Sequence, residues 1–477
     1  MSQDAPIPME LWDLIPPVAQ AALRVLLDSL YKKIAALEQQ VAALTARLEQ
    51  NSHNSSKPPS SDGPNVKRRP PGKPSGKKRG GQPGHEKHER PLLPPNETAI
   101  LKPTHCRRCG HKLSGEDPDP LRHQVLELPE IKPHVIDYLL HRLRCPGCGA
   151  STCATLPHGV PVGHQGPRLQ ALLALLSGAY RLSKRQIETL CDDVFGIPLC
   201  TGTICNLEQQ TAAATEPVVQ ELRDHVRKRH ANMDETGWRE QGQKAWLWVL
   251  VTAAATIFHV DRSRSGKVAR FLLGPGFHWV ITSDRFSAYL WLGLEYRQVC
   301  WAHLRRDFQA MIDRGGAGLY FGKALLEQSD KLFTLWYRVR DGTLKRSGFD
   351  RQIAKVRAWV RHFLTKGSVC TCTKTASLCR EILRLEPALW TFTKLRGIEP
   401  TNNAAERALR HAVQWRKTSY GTDSVAGSHF VANILSVVAT CRQQNHNVLD
   451  FLHHCCQTHL HGKQAPSLLP GKQKKAA

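Results

Sequence analysis

Acidic residues are scarce in this chain, whose 477 residues hold 41 Asp and Glu against 66 Lys and Arg, a formal charge of +25 at pH 7. That imbalance argues against a cationic partner and points to a polyanion, most simply nucleic acid. Apolar runs long enough to cross a bilayer are missing too. The opening MSQDAPIPMELWDLIPP lacks the basic and then apolar sections of a signal peptide. The expectation is a cytoplasmic chain with no membrane partner, whose 15 cysteines are reduced and serve as core residues or metal ligands rather than a disulfide framework. The length allows roughly two to four domains.

What is present is arranged in blocks. Within residues 1–50, Leu23, Leu27, Leu30, Ile34, Leu37, Val41, Leu44 and Leu48 recur at alternating steps of four and three after Pro16 and Pro17. This is a coiled-coil seam and predicts a homo-oligomer; a helix packed on its own domain is the alternative. Residues 51–95, with NSSKPPSSD and KRRPPGKPSGKKRGGQPGH, are too polar and Pro-rich to build a core and read as a disordered basic arm. Between Lys67 and Arg90 stand nine Lys or Arg and two Glu. Lys67, Arg68, Arg69, Lys77, Lys78 and Arg79 are its candidate contacts to DNA phosphates, unless the arm is only a solvated linker.

Residues 96–160 carry Cys106-Arg-Arg-Cys109 and Cys145-Pro-Gly-Cys148, each followed by glycine. Together they offer four thiolates for one structural zinc ion, with His105, His111 and Cys153 as substitutes. The 35 residues between the pairs, including LRHQVLELP and HVIDYLLHRLRC, are expected to form strands of a small zinc ribbon. Residues 161–229 read as a helical segment. Ser183-Lys-Arg-Gln186 is a capping box, followed by Ile187, Leu190, Cys191, Val194 and Phe195 on one face. A turn at Gly196-Ile-Pro198 and a short helix from about Thr201 would complete a helix-turn-helix, although GTICNLEQQ has few cations for reading DNA.

From residue 230 to 425 the pattern is α/β. HANMDETGW, AWLWVLVTA and TIFHVDRS read as strands, GKVARFLLG as a helix, and HWVITSDRFSAY as a fourth strand ending at Asp284. YRQVCWAHLRRDF follows as a fifth strand running into a helix, with His303 at the junction. Residues of about 304–395 read as a helical insertion, and 426–477 as a C-terminal helical region with a basic tail. Three strands, a helix, a fourth strand and a later helix bearing Glu406 are what a ribonuclease-H-like core requires. In such a core Asp234, Asp284 and Glu406 converge, and clustered carboxylates repel unless cations neutralise them, so the trio suits magnesium or manganese.

Glu406 has a plainer reading. Asn403 and Glu406 have capping-box spacing, and Arg410 lies one turn beyond Glu406. Against that, Ala405, Ala408, Leu409 and Ala412 form a buried face with Glu406, Arg410 and Lys417 on the adjacent stripe, which sets a carboxylate beside cations at the edge of the core. Arg407 and Arg416 add to the candidate DNA contacts on this helix.

NSSKPPSSD with GGQPGH, the paired CxxC knuckles, DETGW, CWAHLRRD, and TNNAAERALR leading into RKTSYGT cover nearly the whole chain. In number and order they resemble the transposases of the insertion sequence 66 (IS 66) family, DDE-type enzymes of bacterial mobile elements. The resemblance implies catalytic residues Asp234, Asp284 and Glu406, a helical insertion before Glu406, and double-stranded DNA as partner, both the element's terminal repeats and the target. It also implies accessory proteins encoded by the same element, and gives His303 no role. Two magnesium ions at the trio would serve both hydrolysis at the element's end and attack of the freed 3′ hydroxyl on target DNA. A non-catalytic zinc-dependent DNA-binding regulator, or a nuclease that cuts without joining, are the rival expectations.

Overall fold

The computed structural model describes residues 9–52, 54–57, 62, 66 and 91–471. A short helix α1 (Met9–Trp12) precedes α2 (Pro17–Leu48), which starts with proline in its first turn. Gln20 Nε2 donates to Trp12 O at 2.9 Å and Ile15 O at 3.1 Å, tying the turn between them. Among the described residues, none of α2 belongs to an apolar cluster, and its seam stays open, with Ile34 50% and Leu48 85% exposed.

The start of the expected arm is held rather than loose. Ser55 Oγ donates to Asn51 O at 2.7 Å, Ser52 N–H donates to Asp62 Oδ1 at 2.8 Å, and Ser56 N–H reaches Asp313 Oδ2 at 2.9 Å. Ser55 is only 7% exposed. Residues 54–57 thus form a turn docked on the larger domain, because short hydroxyl and carboxylate side chains bond local backbone. The cations Lys67, Arg68, Arg69, Lys77, Lys78 and Arg79 lie outside the described residues.

The ribbon is smaller than its sequence promised. Strands β1 (Arg142–Arg144) and β2 (Ser151–Cys153) pair antiparallel, Leu143 opposite Thr152, but residues 113–141 contain no helix or strand. Leu121 is 99% exposed and Val125, Leu128, Val135 and Leu139 are exposed with it, since no second layer stands there to bury their alternation.

Helices α3 (Pro167–Gly178), α4 (Lys184–Phe195) and α5 (Thr201–Val226) follow. Both bonds of the Ser183–Gln186 capping box form, and Gly196 ends α4 at φ 62°, a conformation that favours glycine. Ile187 and Cys191 are buried as expected; Val194 is 50% exposed. The expected short recognition helix is the first part of the 26-residue α5, whose Ile204, Leu207, Leu222 and Val226 are buried. That burial packs one face of α5 into the core.

Five strands make the central sheet: β3 (Ala231–Glu240), β4 (Gln243–Val251), β5 (Thr256–Asp261), then, after α6 (Gly266–Leu273), β6 (Ile281–Ser283) and β7 (Arg297–Val299). Their order is β5-β4-β3-β6-β7. β3, β4 and β5 are antiparallel neighbours, while β6 lies parallel to β3 and β7 parallel to β6. The insertion is helical as expected: α7 (Trp301–Asp313), α8 (Gly316–Arg340), α9 (Arg346–Gly367), α10 (Thr373–Arg384), α11 (Glu386–Leu389) and α12 (Thr391–Lys394). It has its own apolar cluster, built on Phe308, Leu332, Phe349 and Phe392 and joined to the sheet at Val299 and Trp301.

Three helices close the chain: α13 (Asn403–Ser419), α14 (Val425–Gln443) and α15 (Val448–Leu460). α14 is long and apolar enough to cross a membrane by length and composition, yet two-thirds of it is buried in the core. It covers the sheet's edge: Phe258 N–H of β5 donates to Ser436 Oγ at 2.8 Å and Thr256 N–H to Thr440 Oγ1 at 3.1 Å. Those bonds satisfy backbone groups that an edge strand would leave open.

Candidate active site

Along β3 the side chains alternate, so Met233 and Glu235 are buried while Asn232, Asp234 and Thr236 share the opposite face. In the parallel pair Asn232 stands opposite Thr282, which brings Asp284, just past the end of β6, alongside Asp234. Ala405, Leu409 and Ala412 of α13 are buried, and Arg416, farther along that helix, donates to Gly237 O and, at 3.2 Å, to Thr236 Oγ1 of β3. The helix is thereby laid over the strand with Glu406 near Asp234.

The electrostatics report the convergence. Burial pushes the Asp234 carboxyl up to about 8, and the charges of Glu235, Asp284 and, more weakly, Glu406 add to the rise. Glu235 is turned to the other face, where Arg264 lies 2.8 Å from its Oε1 and Tyr289 Oη donates to its Oε2 at 2.6 Å. Burial raises its carboxyl as well, against those two bonds. Asp284 Oδ1 accepts from Phe286 N–H at 2.9 Å, and the buried Arg297 donates to Asp284 O at 3.3 Å.

Glu406 does not cap its helix. The N-cap is Asn402, one residue earlier than expected, and its buried side chain makes no capping bond; both its polar atoms lack partners. Glu406 also looks away from Arg410: it pairs with Arg306, 3.3 Å from Oε1, while His303 Nδ1 lies 3.7 Å from the same oxygen. Desolvation, reinforced by the Arg306 cation, lowers the His303 imidazole. The two ends of the helical insertion meet here, because Trp301 N–H donates to Pro400 O at 2.9 Å and Asn402 N–H to Cys300 Sγ at 3.3 Å. CWAHLRR and TNNAAER are one structural unit.

Two other donor sets can be compared. Cys300, His303 and Glu406 offer ligand atoms within 4.8 Å of one another, the one such group of three found among the described residues. The four knuckle cysteines are not drawn into one such group. Each knuckle is nevertheless shaped alike: Cys106 N–H donates to His111 O and Cys145 N–H to Ala150 O, both at 2.8 Å, while Gly110 and Gly149 turn at φ 73° and 72°. Backbone N–H groups of Cys109 and Arg108 lower the Cys106 thiol, and those of Cys148 and Gly147 lower Cys145. That is the chemistry a thiolate ligand needs.

Among the cations proposed for DNA, Arg407, Arg410 and Lys417 are exposed on α13, whereas Arg416 is half-buried against β3 and serves the fold. Arg297, Arg306, Arg264 and Tyr289 were missed from sequence. The only signal for Arg306 was its place in CWAHLRRD.

Residues 14–91 match a family of unknown function, DUF6444. The chain is 24% identical to the uncharacterized protein y4hP of Sinorhizobium fredii over 72% of its length and 68% of that protein, and 26% identical to y4qI of the same organism over 44% and 42%. Residues 163–429, more than half of the chain and all three carboxylates with it, match the family described as Transposase IS66 family. The chain belongs to the IS66 transposase family.

Proposed function

We propose that this chain is a DDE transposase with a ribonuclease-H-like core, which binds the ends of an insertion sequence, cuts them and joins the freed 3′ hydroxyl to target DNA. The reading is carried by one observation: β3, the end of β6 and α13 bring Asp234, Asp284 and Glu406, far apart in sequence, within electrostatic reach of one another, where burial first, and then the charges of Glu235, Asp284 and more weakly Glu406, push Asp234 up to about 8. Such crowding is unfavourable by itself, and a hard divalent cation relieves it, so the donor set fits magnesium or manganese. The sheet order, with an antiparallel trio, two parallel strands and α13 across β3, supports the fold assignment.

Asp234, Asp284 and Glu406 would hold two ions, which activate the attacking oxygen and stabilise the leaving one when bound. The protein's own part is placement. β3 carries Asp234, the end of β6 delivers Asp284, and the hydrogen bonds between the starts of α7 and α13 hold the third. Exposed Arg407, Arg410 and Lys417 would lie along the phosphates beside the site, and the arm's cations would bind the duplex without reading sequence. Cys106, Cys109, Cys145 and Cys148 would hold one zinc ion, and the open seam of α2 would pair with a second copy, bringing two element ends together. The work would be done in the cytoplasm, with accessory proteins of the same element as further partners.

The test supplies the purified chain with a pre-cut element end, a target duplex and magnesium. Joined product supports the transposase; cleavage of an uncut end without joining would indicate a nuclease, and binding alone a regulator.

A further inference from the structure

His303 sits in CWAHLRRD, and nothing above requires it. We propose that His303 is a positioning residue that holds Glu406 toward Asp234 and Asp284 by donating a hydrogen bond from Nδ1; this rests on the metal-site reading of the trio.

The tautomer follows from a neighbour. Arg306 Nη2 lies 3.2 Å from His303 Nε2, and a guanidinium can only donate, so Nε2 is the acceptor and the proton is on Nδ1. That Nδ1 is buried without a hydrogen-bond partner. Glu406 Oε1 lies 3.7 Å away, a gap that a small rotation of the carboxylate closes. Arg306, one turn along α7, reaches the same oxygen at 3.3 Å. The carboxylate is thus approached by two donors from one helix face, leaving Oε2 for an ion.

The mounting is rigid, since the Trp301–Pro400 and Cys300–Asn402 bonds fix the start of α7 to the start of α13. A competing use is an ion held directly by Cys300, His303 and Glu406. Arg306 opposes it: an ion on Nδ1 would move the proton to Nε2, donor against donor.

Manganese binding to the full chain without DNA, followed by calorimetry, tests this. Groups that orient a metal's ligands typically change affinity by about 10–100-fold, so His303→Ala should weaken manganese binding by about 10-fold. His303→Asn, whose amide nitrogen replaces Nδ1, should recover most of the loss, and His303→Gln, whose amide replaces Nε2, should not. Equal affinity in all three variants and the parent would overturn the proposal, as would equal loss in all three. Cys300→Ser losing manganese as fully as His303→Ala would make His303 a direct ligand and also overturn it. If Asp234→Asn leaves manganese binding intact, the trio itself is not the site, a failure distinct from the others.

Discussion

The region from 161 to 471 and the region before it solve the burial problem in opposite ways. The larger region closes on itself: Trp248, Trp301 and Trp390 are buried, its sheet edge is covered by α14, and its insertion carries a core of its own. The earlier region leaves the α2 seam and the apolar residues of 113–141 facing out. The contrast is that the larger region buries its apolar surface within one chain, while the described residues of the N-terminal region leave theirs open, as the proposed oligomer and zinc site would require. A second copy suits the seam, and a metal ion the knuckles.

The largest expected effect lies on the self-contained side. Asp234→Asn or Asp284→Asn should lower cleavage and joining by at least about 100-fold in a gel assay while DNA binding persists. The double variant should lose little more, because residues acting as a unit are not additive.

Next comes the dependent side. Metal analysis of the full chain should find one zinc per chain, and a chelator should open residues 96–160 to protease while the core resists. Uniform resistance throughout would erase the contrast. Replacing Leu30 and Leu37 with charged residues should convert the oligomer to monomers in sedimentation, without altering the core's melting.

The smallest effect is a pH dependence inside the core. Burial and neighbouring carboxylates push the Asp234 carboxyl up to about 8 in the folded chain, against about 3.9 when unfolded, so the folded state binds more protons between those values and stability falls as pH rises through that window. Asp234→Asn removes the loss. Its melting temperature should exceed the parent's by about 5 °C at pH 8, with the difference shrinking toward pH 4. Manganese should stabilise the parent and not the variant.

Much of the core was legible because its signals are local. Apolar stretches such as AWLWVLVTA exposed the strands, and the end of the run Trp279–Ile281 marked Asp284 at a strand end. Glu406 was found by motif, but its neighbours were not, since Arg306 and His303 reach it across the whole insertion. The capping-box spacing misled by one residue because the helix starts after Asn402. In 113–141 strands were expected between the knuckles, yet β-prone residues form none without a layer to pack on, and α5 runs on through Pro217 to Val226, past the short helix expected from Thr201.

Glu406→Gln tests the central claim most directly. Glutamine keeps the shape and removes the charge, so the account predicts a folded protein that binds element ends but gives no joined product with magnesium. Joining at a rate near the parent's would remove Glu406 from the active site and leave it as a partner of Arg306 alone.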